Sequence, residues 1–441
     1  MRQRRAIAGL AAAAAAAMAL TACGGSGGQS SGSASGGDTG DNGDAASAWA
    51  LTGGTHEQIW KNSFDQWNEA NPDQTIAVDW FANDSYKEKI RTSIGSGNAP
   101  TLVFGWGGAT LRDYVDAGKV VDLTAGTADV MGRLIPSIAE GGEIDGKVYA
   151  VPNVGTQPVV LYYNKELFEQ QGLDVPTTWS ELESAVDTFK AAGITPIALA
   201  GASKWTNMMW LEYLFDRVGG AEVFDRIEDN EPGAWSDPAV VKSLTMVQDL
   251  VKQGAFGDAF GSVVADANAD VALVHTGKAA MLLQGSWGYG TFMTDAPDFV
   301  ADGTLGFAAF PTVEGGAGDP SAVVGNQSNF WSVSSSSSES AQTNAEDYIN
   351  SLFDDDYVQA MVDGGDIPPT TGAEKFIKGS DQEEFLDFGY DLVKNSSSFQ
   401  LSWDQALPAA TSQTLLDNIQ ELFALSITPE QFVDAMNATI Q

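Results

Sequence analysis

The stretch that decides the fold class is AAMLLQGSWGYGTFM, residues 279–293. Residues 280–283 form a short apolar run, which is typical of a buried strand, and the run ends in alternating glycine and aromatic residues. Such a strand would carry Trp287 and Tyr289 onto a glycine-rich rim. Because glycine removes side-chain bulk beside Trp287, one face of the indole would stay open to a ligand. The alternative is that both aromatics are core residues at the start of a helix.

Strand and helix patterns alternate in two separate sets along the rest of the chain. Apolar or alternating runs predict strands at residues 48–51, 75–81, 101–104, 159–163, 194–200 and 305–310. Capping signals and apolar periodicity predict helices from Thr55 (a capping box with Gln58), from Ser85, over 179–192, 238–253, 341–362, 383–394 and 412–425, and from Thr428. This alternation predicts helical crossovers, mostly parallel sheets and two α/β lobes.

Tryptophan recurs just past the predicted strand ends, where ligands gather in open α/β sheets. The segments at these ends are Gly53-Gly54, Asn83-Asp84, Trp106-Gly107-Gly108, residues 204–207 with Trp205 and Asn207, and residues 287–289. A pyranose packs its C–H face on an aromatic ring, while its hydroxyl groups need polar partners in fixed directions. Aromatic rings beside Gly, Asn and Asp therefore indicate a carbohydrate site.

The N-terminus indicates export and lipid anchoring. Arg2, Arg4 and Arg5 precede an apolar segment at residues 6–20, which predicts a signal peptide over residues 1–22. The following Leu20-Thr-Ala-Cys23 resembles the signal of bacterial lipoproteins, whose cysteine is diacylated, and Cys23 is the only cysteine in the chain. Residues 24–46 are rich in Gly, Ser, Asp and Asn, which predicts a flexible tether. The globular part would then lie at the outer face of the cell membrane, held by the lipidated cysteine.

The charge balance excludes several classes of partner. The chain has 22 Lys and Arg against 59 Asp and Glu, and loss of residues 1–22 would change the formal charge from −37 to −40. Such an excess of carboxylates argues against binding to nucleic acid or to anionic lipid headgroups. A single cysteine allows no internal disulfide, so the fold must depend on its hydrophobic cores. With 43% hydrophobic residues, the chain can build two of them.

Three motifs resemble the extracellular solute-binding proteins of carbohydrate-uptake ABC importers, the family that includes maltose-binding protein. They lie at residues 149–168 (YAVPNVGTQPVVLYYNKELF), 176–182 (PTTWSEL) and 277–287 (GKAAMLLQGSW), with a weaker match at 428–436. The resemblance implies a type II periplasmic-binding-protein-like fold, in which mostly parallel sheets flanked by helices form two lobes joined by a crossover hinge. It places the N-terminal lobe at 47–153 plus 331–376 and the C-terminal lobe at 157–326 plus 378–441, with crossovers near 153–157, 325–331 and 372–378.

The same resemblance implies a set of ligand-binding residues. By position these are Trp106, Gln157, Trp205, Asn207, Trp287 and Trp403. The strand-end segments add Asn83, Asp84 and Tyr289, and His56 is expected at the rim of the site.

The expected function is capture of an oligosaccharide and its delivery to the transmembrane permease subunits of an ABC importer. Relatives of this kind bind xylo-oligosaccharides or raffinose-type α-galactosides, and a Trp-rich, weakly charged site suits either. We expect a monomer without cofactor, metal or enzymatic activity.

A glycoside hydrolase is the first alternative, although with 59 carboxylates some pairs arise by chance, and neither His56 nor His275 has a nucleophile motif beside it. Residues 266–270 resemble the start of a calcium loop but lack its glycine and closing glutamate. A non-transport carbohydrate-binding adhesin is the second alternative.

Overall fold

The computed structural model describes residues 45–440. The predicted signal peptide, Cys23 and nearly all of the predicted tether lie outside the described residues, and Ala46 already belongs to the first strand. The strands are β1 Ala46–Leu51, β2 Ile76–Phe81, β3 Leu102–Gly105, β4 Glu143–Ile144, β5 Lys147–Val148, β6 Val151–Pro152, β7 Gln157–Asn164, β8 Thr195–Ala198, β9 Ala279–Gly285, β10 Leu305–Ala308, β11 Val323–Asn326, β12 Phe330–Val333 and β13 Phe399–Leu401.

Helices fill most of the intervals between these strands. They are α1 Gly54–Ala70, α2 Asn83–Ser96, α3 Gly108–Asp116, α4 Ala128–Met131, α5 Pro136–Ala139, α6 Lys165–Gln171, α7 Trp179–Ala191, α8 Trp205–Gly219, α9 Glu222–Glu228, α10 Pro238–Gln253, α11 Ala269–His275, α12 Trp287–Asp295, α13 Pro297–Ala301, α14 Glu339–Ser351, α15 Asp355–Asp363, α16 Glu374–Ile377, α17 Glu383–Lys394, α18 Trp403–Ala406, α19 Ala409–Phe423 and α20 Pro429–Asn437. Among the residues described, no helix combines the length and apolar character needed to cross a membrane.

The first sheet contains five strands in the order β2-β1-β3-β12-β6. Strand β1 is parallel to β2 and β3, whereas β12 is antiparallel to β3 and β6. Helices α1, α2 and α14 cover this sheet with large aromatic side chains. Phe64 of α1 stacks on Tyr348 of α14, with ring centroids 4.6 Å apart, and meets Trp331 of β12 edge-on at 5.9 Å. This aromatic cluster is the core of the first lobe.

The second sheet contains β13-β11-β7-β9-β8, and β10 also pairs with β7. Alternate residues of β7 enter different cores: Val159 and Leu161 pack with α7, α8 and α10, while Val160 and Tyr162 pack with α11, α12 and α17. The sheet is therefore buried on both faces, which explains why β7 and β9 read as continuous apolar runs. This is the core of the second lobe.

The sheets are mixed, so the prediction of mostly parallel sheets is wrong in that detail. Strand β7 is antiparallel to β9, β10 and β11. It enters the second sheet directly from β6 of the first sheet, through residues 153–156, and not through a helical crossover within its own sheet. The constraint that makes βαβ neighbours parallel therefore does not apply to it.

The chain passes between the two sheets more than once. Residues 153–156 connect β6 to β7, and residues 327–329 connect β11 of the second sheet to β12 of the first. Later in the chain Met361 packs in the core of the first lobe, whereas Val362 and Ile367 already pack in that of the second. Phe376 still packs against the first core as well, so the prediction that the first lobe runs to residue 376 stays a prediction.

The capping residues explain which predicted helix starts are confirmed and which are wrong. Thr428 and Gln431 form the predicted capping box of α20. Thr55 does not cap α1, because the helix begins at Gly54 and the Thr55 hydroxyl donates instead to the carbonyl oxygen of Gly364. The single helix predicted over 341–362 is two helices, since Asp354 accepts a hydrogen bond from the Tyr357 amide and starts a new one.

Candidate ligand-binding cleft

A cavity of about 360 Å³ lies where the strand ends of both sheets meet. The segments after β1, β2 and β3 contribute His56, Asn83 and Trp106, and the segment after β9 contributes Trp287. Gln157 at the start of β7 also lines it. The position agrees with the rule that ligands bind beyond the carboxyl ends of strands in open α/β sheets.

Trp205 and Trp287 form an aromatic pair on the second-lobe side of the cavity. Each starts a helix, α8 and α12 respectively, each is half-buried, and their ring centroids are 6.1 Å apart at a tilt of 53°. The indole Nε1 of Trp205 donates a hydrogen bond of 3.2 Å to Oδ1 of Asp84, which lies in α2 of the first lobe. This bond fixes the ring of Trp205 and connects the two walls of the cleft.

Trp106 faces the cavity from the first lobe and carries a lysine over its ring. Lys87 Nζ lies 4.9 Å from the ring centroid of Trp106 and 3.0 Å from Oδ2 of Asp404, whose side chain is 8% exposed. Cation–π and ion-pair contacts together therefore hold this ammonium at the cavity wall. Lys87 and Asp404 form a second contact between the two walls.

Two amide oxygens in the cavity wall are buried without a partner. Oδ1 of Asn326, at the end of β11, and Oδ1 of Asn329, which follows it, have no hydrogen-bond partner among the described residues. A buried acceptor without a donor costs free energy, so these two amides have unused hydrogen-bonding capacity beside the cavity.

Asp270 contributes a buried carboxyl group to the cavity lining. Asp270 of α11 is 1% exposed, its Oδ2 accepts a hydrogen bond of 3.0 Å from Gln284 Nε2, and its Oδ1 accepts from the Val271 amide. Burial raises the pKa of Asp270 to about 6. Burial likewise raises the pKa of Asp266, whose Oδ2 accepts from the Asp84 amide at 2.9 Å.

Of the ten predicted ligand-binding residues, six line this cavity: His56, Asn83, Trp106, Gln157, Trp205 and Trp287. The structure places the other four elsewhere. Asp84 lies against the ring nitrogen of Trp205. Asn207 is 1% exposed in α8, where its amide donates to the carbonyl oxygen of Gly201.

Tyr289 and Trp403 are core residues. The Tyr289 ring stacks on Phe385 at 3.9 Å, and its hydroxyl donates to Gln382. Trp403 is fully buried and stacks on Phe224 at 4.9 Å, although Asp404 beside it lines the cavity. Their backbone positions are close to the cleft, but their side chains point into the second-lobe core.

The glycines around Trp287 serve packing and do not form an open rim. A Cβ at Gly285 would occupy the space taken by the Trp287 indole, and a Cβ at Gly290 would meet the side chain of Thr55. Helix α12 therefore packs directly against the start of α1. The predicted strand at 280–283 is confirmed, and the segment after it is a helix, as the alternative interpretation held.

The profile of the family described as bacterial extracellular solute-binding protein matches residues 53–359. This chain belongs to that family. Its two-lobe α/β fold is that of these solute-binding proteins, as the sequence resemblance implied.

Similar proteins of known identity are sugar binders. This solute-binding protein is 28% identical over 257 residues to the xylose/arabinose-binding protein of Haloferax volcanii and 29% identical over 247 residues to the multiple sugar-binding protein of Streptococcus mutans. These alignments cover 56% and 52% of this chain, and 54% and 55% of the relatives, so the chain spans about half the length of the curated relatives it matches.

A solved structure matches over a longer range. It comes from a study of xylan utilization by the thermophilic bacterium Caldanaerobius polysaccharolyticus. The TM-score is 0.80 at 30% sequence identity, and the match covers 90% of this chain and 100% of the other.

Proposed function

We propose that this protein is the sugar-binding component of an ABC importer and captures a short, uncharged oligosaccharide in the cleft. The observation that carries the proposal is the composition of one cavity, whose lining includes three half-buried indoles and the side-chain amides of Gln157, Asn326 and Asn329. Indole faces suit the C–H face of a pyranose, and the amides suit its hydroxyl groups.

The proposed ligand is a xylo-oligosaccharide. Support comes from the xylan-related structure at 30% identity and from the xylose/arabinose-binding relative. A raffinose-type α-galactoside was the other sugar expected from the sequence. The raffinose-bound neighbour shares 22% identity with this chain, which bears on the fold alone.

A thermal-shift panel tests the ligand class. Xylotriose, raffinose, cellotriose and an amino-acid mixture would each be added to the purified protein at equal concentration. A ligand present at 100 times its Kd adds about 2.7 kcal/mol of stability. The proposal predicts that xylotriose gives the largest rise in melting temperature. A rise with the amino acids alone would contradict the sugar class, and a rise with raffinose alone would contradict the xylo-oligosaccharide.

The buried carboxyl group of Asp270 is the feature that a glycoside hydrolase would use. Asp270 is a buried carboxyl in the cavity with a pKa of about 6, as a general acid requires. Its Oδ2 accepts a hydrogen bond from Gln284 and its Oδ1 accepts one from the Val271 amide, so a structural role in the cavity wall explains the buried carboxyl without catalysis. We therefore propose that the protein is not an enzyme. Xylotriose recovered intact after prolonged incubation would agree, and release of xylose would contradict it.

The membrane association is proposed from the N-terminal sequence. Diacylation of Cys23 would hold the protein at the outer face of the cell membrane, next to the permease subunits that receive the sugar, and the protein would act as a monomer. Cys23→Ala should release it into the medium with unchanged sugar affinity. Retention of this variant in the membrane fraction would contradict the anchor.

A further inference from the structure

The imidazole of His56 lines the cavity and is held by a buried carboxylate outside the cavity wall. His56 Nε2 lies 3.1 Å from Oδ1 of Asp366, and the two side chains are 11% and 2% exposed. Because a carboxylate oxygen only accepts hydrogen bonds, Nε2 carries the proton of this bond. In the neutral imidazole the other nitrogen, Nδ1, is then an acceptor.

The backbone around Asp366 holds this carboxylate in place. Its Oδ2 accepts a hydrogen bond of 2.8 Å from the Gly155 amide, and its own amide donates to the carbonyl oxygen of Met361 at 2.9 Å. The next residue, Ile367, accepts from the Thr156 amide at 3.0 Å. Residues 366–367 are therefore bonded directly to the 153–156 segment, which links the first sheet to the second.

Glycine is required at position 155 for this approach. A Cβ there would meet the carbonyl oxygen of Ile367 and the Asp366 carboxylate. The two backbone segments thus touch without a side chain between them. His56, Asp366 and the 153–156 segment therefore form one chain of direct hydrogen-bond contacts.

We propose that Asp366 is a positioning residue for ligand binding: it holds His56 with Nδ1 as an acceptor for a sugar hydroxyl and joins that contact to the 153–156 segment. The inference rests on the proposed function, since that function supplies the hydroxyl group. His56 is the residue that contacts the sugar, and Asp366 acts through it.

Imidazole NMR tests the proposal directly, because the chain contains only two histidines, His56 and His275. His275 ends α11 and does not line the cavity, so a His275→Gln background with ¹⁵N-labelled histidine leaves one imidazole to observe. The proposal predicts the Nε2–H tautomer without ligand and a shift of the Nδ1 resonance when xylotriose is added. An Nδ1–H tautomer would overturn it, and this measurement needs no change at Asp366.

A double-mutant cycle separates positioning from a general structural role. His56→Ala and Asp366→Asn should each weaken xylotriose binding roughly tenfold, as expected for one lost hydrogen bond, and the double variant should bind no more weakly than His56→Ala alone. Losses that multiply would show that Asp366 acts independently of His56.

The outcomes also separate this inference from the proposed function. If no sugar in the panel binds, the proposed function fails and this inference fails with it. If xylotriose binds while the His56 resonances stay unchanged, only this inference is overturned.

Discussion

Truncation of Trp287 distinguishes a ligand-stacking role from a core role. The indole is half-buried: it packs over Gly285 and against the core of the second lobe, its ring centroid lies 6.1 Å from that of Trp205, and it lines the cavity. Trp287→Ala removes one stacking face, worth about 1–3 kcal/mol by analogy with stacked bases, or roughly 5- to 150-fold in Kd. Isothermal titration with xylotriose measures this loss. Urea denaturation followed by circular dichroism measures the stability of the same variant.

Trp235 provides the matched control. It is 1% exposed, packs against Phe215 and Phe432, and does not line the cavity. Trp235→Ala should cost about 3–5 kcal/mol of unfolding free energy and leave the affinity of the folded fraction unchanged. Trp60 is a poor control, since it is a core residue that also touches the cavity. If Trp287→Ala lost as much stability as Trp235→Ala and bound xylotriose normally, the stacking role would be refuted.

Three further variants test other parts of the structure. Burial raises the pKa of Glu212 to about 8, so between about pH 5 and 8 the folded state holds a proton that the unfolded state releases, and stability falls as pH rises. Glu212→Gln should flatten this pH dependence of the urea midpoint, and an unchanged slope would count against the raised pKa. Gly155→Ala should cost about 1–3 kcal/mol in urea denaturation, because its Cβ meets a carbonyl oxygen, and wild-type stability would refute the close contact. Lys87→Met leaves the buried carboxylate of Asp404 unpaired and should lower the unfolding free energy by about 1–3 kcal/mol in thermal denaturation. Lys252→Met removes an exposed ion pair and should lower it by less than about 0.5 kcal/mol, and equal losses in the two variants would contradict the role of burial.

The sequence predicted the elements whose signals are local. Residues 279–285 form a strand because an apolar run of this length can be buried on both faces of a sheet, and Thr428 caps α20 by pairing with Gln431, three positions further on. Strand direction was not readable in the same way. The apolar pattern of β7 is identical for parallel and antiparallel neighbours, and only the connection at residues 153–156 decides between them.

The site was predictable in its tryptophans and less so in its polar residues. Trp106, Trp205 and Trp287 follow strand ends or start helices at the cleft, where position alone indicates a role. Trp403 also starts a helix, α18, next to the cleft, but its side chain is fully buried in the core of the second lobe.

His56, Asn83 and Gln157 were predicted, but several other polar residues of the cavity were missed for a different reason. These residues, Lys87, Asp270, Gln284, Asn326 and Asn329, come from segments far apart in the sequence. Gln284 lies in the 277–287 motif and Asp270 in the 266–270 stretch, but neither pattern marks its polar side chain as part of a shared site. The apolar run around Gln284 was a weak signal, because a polar residue inside a buried strand needs a partner, which here is Asp270.

Isothermal titration of the full chain with xylotriose, with the Trp287→Ala variant titrated in parallel, tests directly whether the cleft binds an oligosaccharide on its tryptophans. The sugar-binding proposal predicts saturable binding at one site per chain by the wild type and a Kd roughly 5- to 150-fold higher for the variant. It would be contradicted if the folded wild-type protein released no heat of binding with xylotriose or any other neutral oligosaccharide of the panel, or if wild type and variant bound with the same affinity.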